Sequence, residues 1–146
     1  MGVEIERKFT VAGDAWRSAE SVRIIQGYLT RDAQRAVRIR TVDERGLITI
    51  KGFSRGAART EFEYEIPVHD ARQILQELCL KPLIDKTRYH VPYAGSVWEV
   101  DEFHAPQAGL ILAEIELPSV DHDFKRPEWI KEEVTGNPAF YNQNMT

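Results

Sequence analysis

The chain has 146 residues, 42% hydrophobic and 29% charged, enough for one domain with its own core, and no Ser/Gly-rich linker or low-complexity stretch divides it. A formal net charge of −4 excludes a non-specific nucleic-acid binder, which needs a basic surface to release counter-ions. The lone Cys79 excludes an internal disulfide, and without an N-terminal signal or a long apolar span the expectation is a cytoplasmic single domain over 1–146 with no membrane partner.

Taken in chain order, nearly every segment alternates charged and apolar residues, and residues two apart on a strand share a face. The first strand, about 2–11, sets Glu4, Glu6 and Lys8 against Val3, Ile5 and Phe9. The second, 22–30, turns Gln26 and Tyr28 inward if Ile25 and Leu29 face out, and the third, 36–42, opposes Arg38 and Arg40 to Val37 and Ile39. Asp43 to Gly46 reads as a tight hairpin into a fourth strand, 47–52, with Thr49 and Lys51 opposite Ile48 and Ile50. Gly52 to Gly56 reads as a flexible loop that lends Arg55 to the rim; its G-x-S-x-G spacing lacks the helix a nucleophile elbow requires. A fifth strand, 59–67, carries Glu61, Glu63 and Glu65 opposite Phe62, Tyr64 and Ile66.

Asp70 then stands where it caps a helix whose Ile74, Leu75 and Leu78 form an apolar stripe ending before Pro82. The sixth strand, 84–92, alternates Lys86, Arg88 and His90 with Thr87, Tyr89 and Val91, so His90 is expected to line the same face as Lys86. A turn at Tyr93 to Ser96 leads to the seventh, 97–104, with Glu99 and Asp101, and the eighth, 110–117, carries Glu114 and Glu116. Pro127 with Trp129 and Ile130, then Asn137-Pro138 ahead of Ala139 to Met145, read as two further short helices.

An antiparallel sheet with one wet face alternates in the same way. These charges, however, are sorted: acidic at 61–65, 99–101 and 114–116, basic at 38–40 and 86–88. Like charges two apart repel, so the pattern calls for counter-ions, metal ions or a polyanion. Helices need apolar partners, which lie opposite the charges, so an eight-stranded antiparallel closed barrel would be dry outside and charged inside. The fold class is α+β, mainly β, with a few helices packed outside. No G-x-x-x-x-G-K-[ST] loop is present, His69, His90, His104 and His122 lack zinc-ligand spacing, and Trp16, Trp98 and Trp129 read as packing residues.

In order, VEIERKF (3–9), VRIR (37–40), TIK (49–51), EFEYE (61–65), KTRY (86–89), WEVDEF (98–103) and AEIEL (113–117) resemble the triphosphate tunnel metalloenzymes, the CYTH superfamily, over nearly the whole chain. The resemblance implies metal-dependent hydrolysis or transfer at a triphosphate, and the short length looks like the compact bacterial inorganic triphosphatases. It would make Glu4, Glu6, Glu114 and Glu116 the metal-facing carboxylates, helped by Glu61 and Glu63, with Mg2+ or Mn2+ as the cofactor since both prefer oxygen ligands. Lys8, Arg38, Arg40, Lys51, Lys86 and Arg88 would clamp phosphates. Lys8 is then either a base or a phosphate ligand, and Tyr28 either its hydrogen-bond partner or a packing tyrosine. A class IV-like adenylyl cyclase, a thiamine or nucleoside triphosphatase and a non-catalytic polyphosphate-binding module share this signature. By the same analogy, and because Phe140, Tyr141 and the outer apolar faces exceed what short helices cover, a homodimer is the expected assembly.

Overall fold

Residues 2–145 are described by the computed structural model, and among them the alternating segments become eight long strands. They are β1 (Val3–Val11), β2 (Glu20–Arg31), β3 (Ala36–Val42), β4 (Arg45–Arg55), β5 (Ala58–Ile66), β6 (Ile84–Tyr93), β7 (Ser96–Ala105) and β8 (Ile111–Glu116). All pair antiparallel in the order β5-β4-β3-β2-β6-β7-β8-β1, and β1 returns to β5 through Val3 on Thr60, Glu4 on Arg59 and Ile5 on Ala58. The barrel is closed. Its tight hairpins use left-handed residues, Asp43 after β3 and Ala94 with Gly95 after β6.

Closure through three residue pairs leaves the rest of β1 with a bare edge on that side. A ninth strand, β9 (Ile130–Glu133), covers it by pairing Ile130 with Val11 and Glu133 with Phe9. This corrects the helix expected at Pro127, Trp129 and Ile130: an unpaired strand edge outcompetes a weak local helix signal, and Trp129 packs edge-on against Trp98, centroids 6.2 Å apart. The second expected helix, Ala139 to Met145, also gives way, to two single turns of 3-10 helix at Pro138–Phe140 and Asn142–Asn144. Asn137 does cap, accepting from the Ala139 amide at 3.1 Å. The expected loop at 52–56 is instead the end of β4, which runs on to Arg55 across a register shift between Lys51 and Ser54. One α-helix is present among the described residues, α1 (Val68–Glu77), with Pro67 rather than Asp70 at its cap position.

The side chains divide as the alternation requires. Ile39 is buried outside the barrel beneath Ala71 and Leu75 of α1, and Ile5 and Ile115 pack with Phe9 and Trp98, while Arg38 and Glu114 turn inward. Gly46 lets α1 approach, since a Cβ there would meet the Ala71 Cβ at 2.8 Å. The interior is not charged throughout. At the end where β2 passes into β3, the inward faces carry Ala36, Tyr28, Ile84, Phe103 and Leu112, which pack with Val134, Phe140 and Met145 of the C-terminal segment. That dry layer closes one end of the lumen.

Candidate active site in the barrel lumen

Beyond the dry layer lies a cavity of about 280 Å³. All six cations, all six carboxylates and Tyr28 singled out from the sequence line it. They converge because a strand that faces apolar residues outward must face their neighbours inward, and closure brings eight inward faces together. Arg59 and Glu99 also line the cavity, as do Thr135, Tyr141, Asn142 and Gln143 from the C-terminal segment. Arg59 was legible, being in phase with Glu61 and Glu63; the C-terminal group has no periodicity that would mark it. Arg55, expected at the rim, is exposed and does not line the cavity. Nor does His90, which sits 3.7 Å from Glu99.

Each sorted strand finds its opposite charge on a neighbour. Lys51 Nζ lies 3.2 Å from Glu4 Oε1 and 3.2 Å from Glu61 Oε2. Arg88 donates to both Asp101 oxygens, at 2.7 and 2.9 Å, and Lys86 Nζ lies 2.8 Å from the same carboxylate. Burial would raise the Asp101 carboxyl, but Arg88 and Lys86 pull it down to about 2. Burial also lowers Lys86, to about 7, because Asp101 is shared with a bidentate arginine and offsets only part of the desolvation.

Arg38 and Arg40 are held more loosely. Both reach the same Glu63 oxygen, at 3.4 and 3.3 Å, and that oxygen already accepts from Thr49 Oγ1 at 2.6 Å. The Nε atoms of both arginines are buried without an acceptor. Burial and the neighbouring Arg38 and Arg88 lower Arg40 to about 10. Two guanidinium forks against one carboxylate make an anion-hungry patch.

The carboxylates opposite are crowded. Burial raises Glu6 well above the usual carboxylate range, reinforced by Glu114 and Glu4, and Glu6 hydrogen-bonds Glu114. Burial would raise Glu114 too, but Lys8, that hydrogen bond, Arg88 and Lys86 hold it low. Glu4 is raised by burial and by its hydrogen bond and repulsion with Glu61, and Glu116 by burial and by Glu4 and Glu99. Glu61 Oε2 is buried, and the Lys51 ammonium 3.2 Å away is not aligned to hydrogen-bond it. An all-oxygen donor set whose crowding raises Glu4, Glu6 and Glu116 fits a hard dication, which would offset their mutual repulsion. Among the described residues no three acidic or histidine side chains form a complete cage. That suits an ion that keeps waters and takes substrate oxygens.

Lys8 Nζ donates to the Phe140 carbonyl at 3.0 Å, and Tyr28 packs in the dry layer next to the cavity. No helix among the described residues is long and apolar enough to cross a membrane.

The model of the CYTH domain family matches residues 2–141. An inorganic triphosphatase from Acetivibrio thermocellus is 50% identical over 146 residues, covering 99% of this chain and 94% of that protein. An inorganic triphosphatase from Nitrosomonas europaea is 33% identical over 146 residues, covering 97% and 95%. Among solved structures, the inorganic triphosphatase NE1496 superposes with a TM-score of 0.69 at 30% identity, covering 97% of this chain and 95% of that one.

Proposed function

This chain belongs to the CYTH domain family, and from that premise we propose that it is an inorganic triphosphatase, hydrolysing tripolyphosphate to pyrophosphate and phosphate. The observation that carries this reading is the patch of Arg38 and Arg40, two buried forks that share one carboxylate oxygen and keep their Nε donors unmet. A phosphate presents several acceptor oxygens to such forks.

Arg38, Arg40, Lys51 and Arg88 orient the phosphate chain along the lumen, and Lys8 and Lys86 meet it near the closed end. Glu63 fixes the two arginines, which is a better use of its geometry than holding metal. Glu4, Glu6, Glu114 and Glu116, with Glu61, would hold Mg2+ or Mn2+; when bound, the ion neutralises phosphate charge and lowers the pKa of a coordinated water. Water attacks the terminal phosphorus in line, the bridging P–O bond breaks, the bond electrons leave with pyrophosphate, and the proton of the attacking water passes to solvent. Lys8 serves as a phosphate ligand, because its ammonium already donates to Phe140 and points the remaining N–H bonds at the lumen. Positioning and charge stabilisation supply most of the rate. The assembly we propose is a homodimer through the apolar outer wall of β4 and β5, where Ile50, Phe53, Phe62 and Tyr64 stay exposed.

The test is to incubate the purified protein with tripolyphosphate, ATP or thiamine triphosphate, with Mg2+, with Mn2+ and after chelation. Phosphate release from tripolyphosphate that requires the metal is expected. Cyclic AMP with pyrophosphate from ATP, preference for thiamine triphosphate, or no product from any of them would each overturn the reading.

A further inference from the structure

Most lumen cations are fixed by carboxylates, which hold a positive charge and neutralise it at once. The C-terminal segment adds neutral contacts, at Lys86 alongside the Asp101 carboxylate 2.8 Å away. It offers three uncharged oxygens to three cations: the Phe140 carbonyl to Lys8 Nζ at 3.0 Å, Asn142 Oδ1 to Lys86 Nζ at 2.9 Å, and Gln143 Oε1 to Arg59 Nη2 at 2.6 Å. An amide oxygen directs a cation without cancelling its charge. The two side-chain amides are themselves oriented, Asn142 by a hydrogen bond from Gln26 Nε2 at 3.0 Å and Gln143 by donating to the Arg31 carbonyl at 3.3 Å. Gln143 is buried, and Gln26 is fully so.

We infer that Asn142 and Gln143 are positioning residues that aim Lys86 and Arg59 at the terminal phosphoryl group of a bound triphosphate, and that their neutrality keeps the closed end attractive to an anion. The inference rests on the triphosphatase reading above and adds to it the end of the lumen at which the terminal phosphoryl is read. Both residues lie past residue 141, where the family-model match stops.

Isosteric substitutions separate neutrality from shape. Asn142→Asp and Gln143→Glu keep the accepting oxygen and add a charge. Tripolyphosphate binding is measured by calorimetry at pH 6.5, where the Lys86 ammonium is present, in EDTA, beside the thermal midpoint of each free protein. The expected result is a Kd weakened about tenfold in each variant, with a midpoint unchanged or raised, because the new carboxylate pairs with Lys86 or Arg59. A merely structural amide would show the opposite, a lowered midpoint with the wild-type Kd. If Asn142→Asp does not fold, Gln143→Glu decides on a separate cation. Wild-type affinity in the folded variants overturns this inference alone, whereas failure of the unmutated protein to bind tripolyphosphate, alone or with Mg2+, overturns the triphosphatase reading with it.

Discussion

The two ends of the lumen are built from the same strands yet solve opposite problems. At the closed end Ile84, Phe103 and Leu112 turn inward and pack against Met145 and Val134, so that the barrel has an ordinary dry core. Further along, the same inward faces carry Lys86, Asp101 and Glu114, and the interior becomes a network of charges with a cavity between them. The dry end contributes stability, and the charged end stays assembled because the dry end and the outer wall hold it. The charged stretch is therefore where substitutions should cost activity with little stability, and the dry layer where the reverse should hold.

The largest effect expected is on activity in the charged stretch. Arg38→Ala removes one of two forks aimed into the lumen and should lower kcat/KM for tripolyphosphate by about 10²- to 10³-fold, with the fold intact by circular dichroism. Activity near wild type would show that the charged stretch does not bind the substrate through Arg38. Phe103→Ala acts on the dry side: it empties a fully buried position, should cost about 3–5 kcal/mol, and should lower the midpoint by about 10 °C in a thermal melt. A midpoint within a degree or two of wild type would show that the closed end is not the structural anchor.

A smaller effect should appear in the pH profile, at the boundary between the two regions. Burial lowers Lys86 to about 7, so the ammonium is present below that pH and lost above it. KM for tripolyphosphate should accordingly rise several-fold between pH 6.5 and 8.5 on the order expected for loss of one charged contact, and Lys86→Arg should flatten that rise because arginine keeps its charge. A rise that persists in Lys86→Arg would assign the titration to another group. The smallest effect belongs to the outside. Arg7 grips Glu133 through two hydrogen bonds, at 2.7 and 2.6 Å, tying β1 to β9, and the pair is partly exposed. Arg7→Ala should lower stability by less than about 1 kcal/mol in a denaturant titration and leave kcat unchanged.

Much of this was legible in local spacing. Glu4, Arg38, Glu61, Arg88 and Glu114 share one face because each stands two residues from another charge and next to an apolar neighbour, and that relation survives any tertiary arrangement of a strand. The tight turns at Asp43 and at Ala94-Gly95 were legible for a similar reason, the left-handed backbone of a short hairpin being a local demand. Residues 130–133 were misread because a strand there depends on the edge left bare where β5 stops pairing with β1, some 70 residues away in the chain. The turn of 3-10 helix around Asn142 has the same origin, since hydrogen bonds to Gln26 and Lys86 hold it against a helix the local sequence favours.

By itself, then, the sequence determined which side chains share a face, that the charged faces must be gathered together, and that the apolar ones must be covered. Tertiary structure alone decided which charges meet, that Arg38 and Arg40 share a single carboxylate oxygen, that burial and the neighbouring Glu114 raise Glu6, and that a C-terminal segment closes one end with neutral acceptors. The reason is one of range. Side-chain direction along a strand is fixed by two backbone dihedrals per residue, whereas the partner of a buried charge is fixed by strand order, register and closure, which no stretch of neighbouring residues contains.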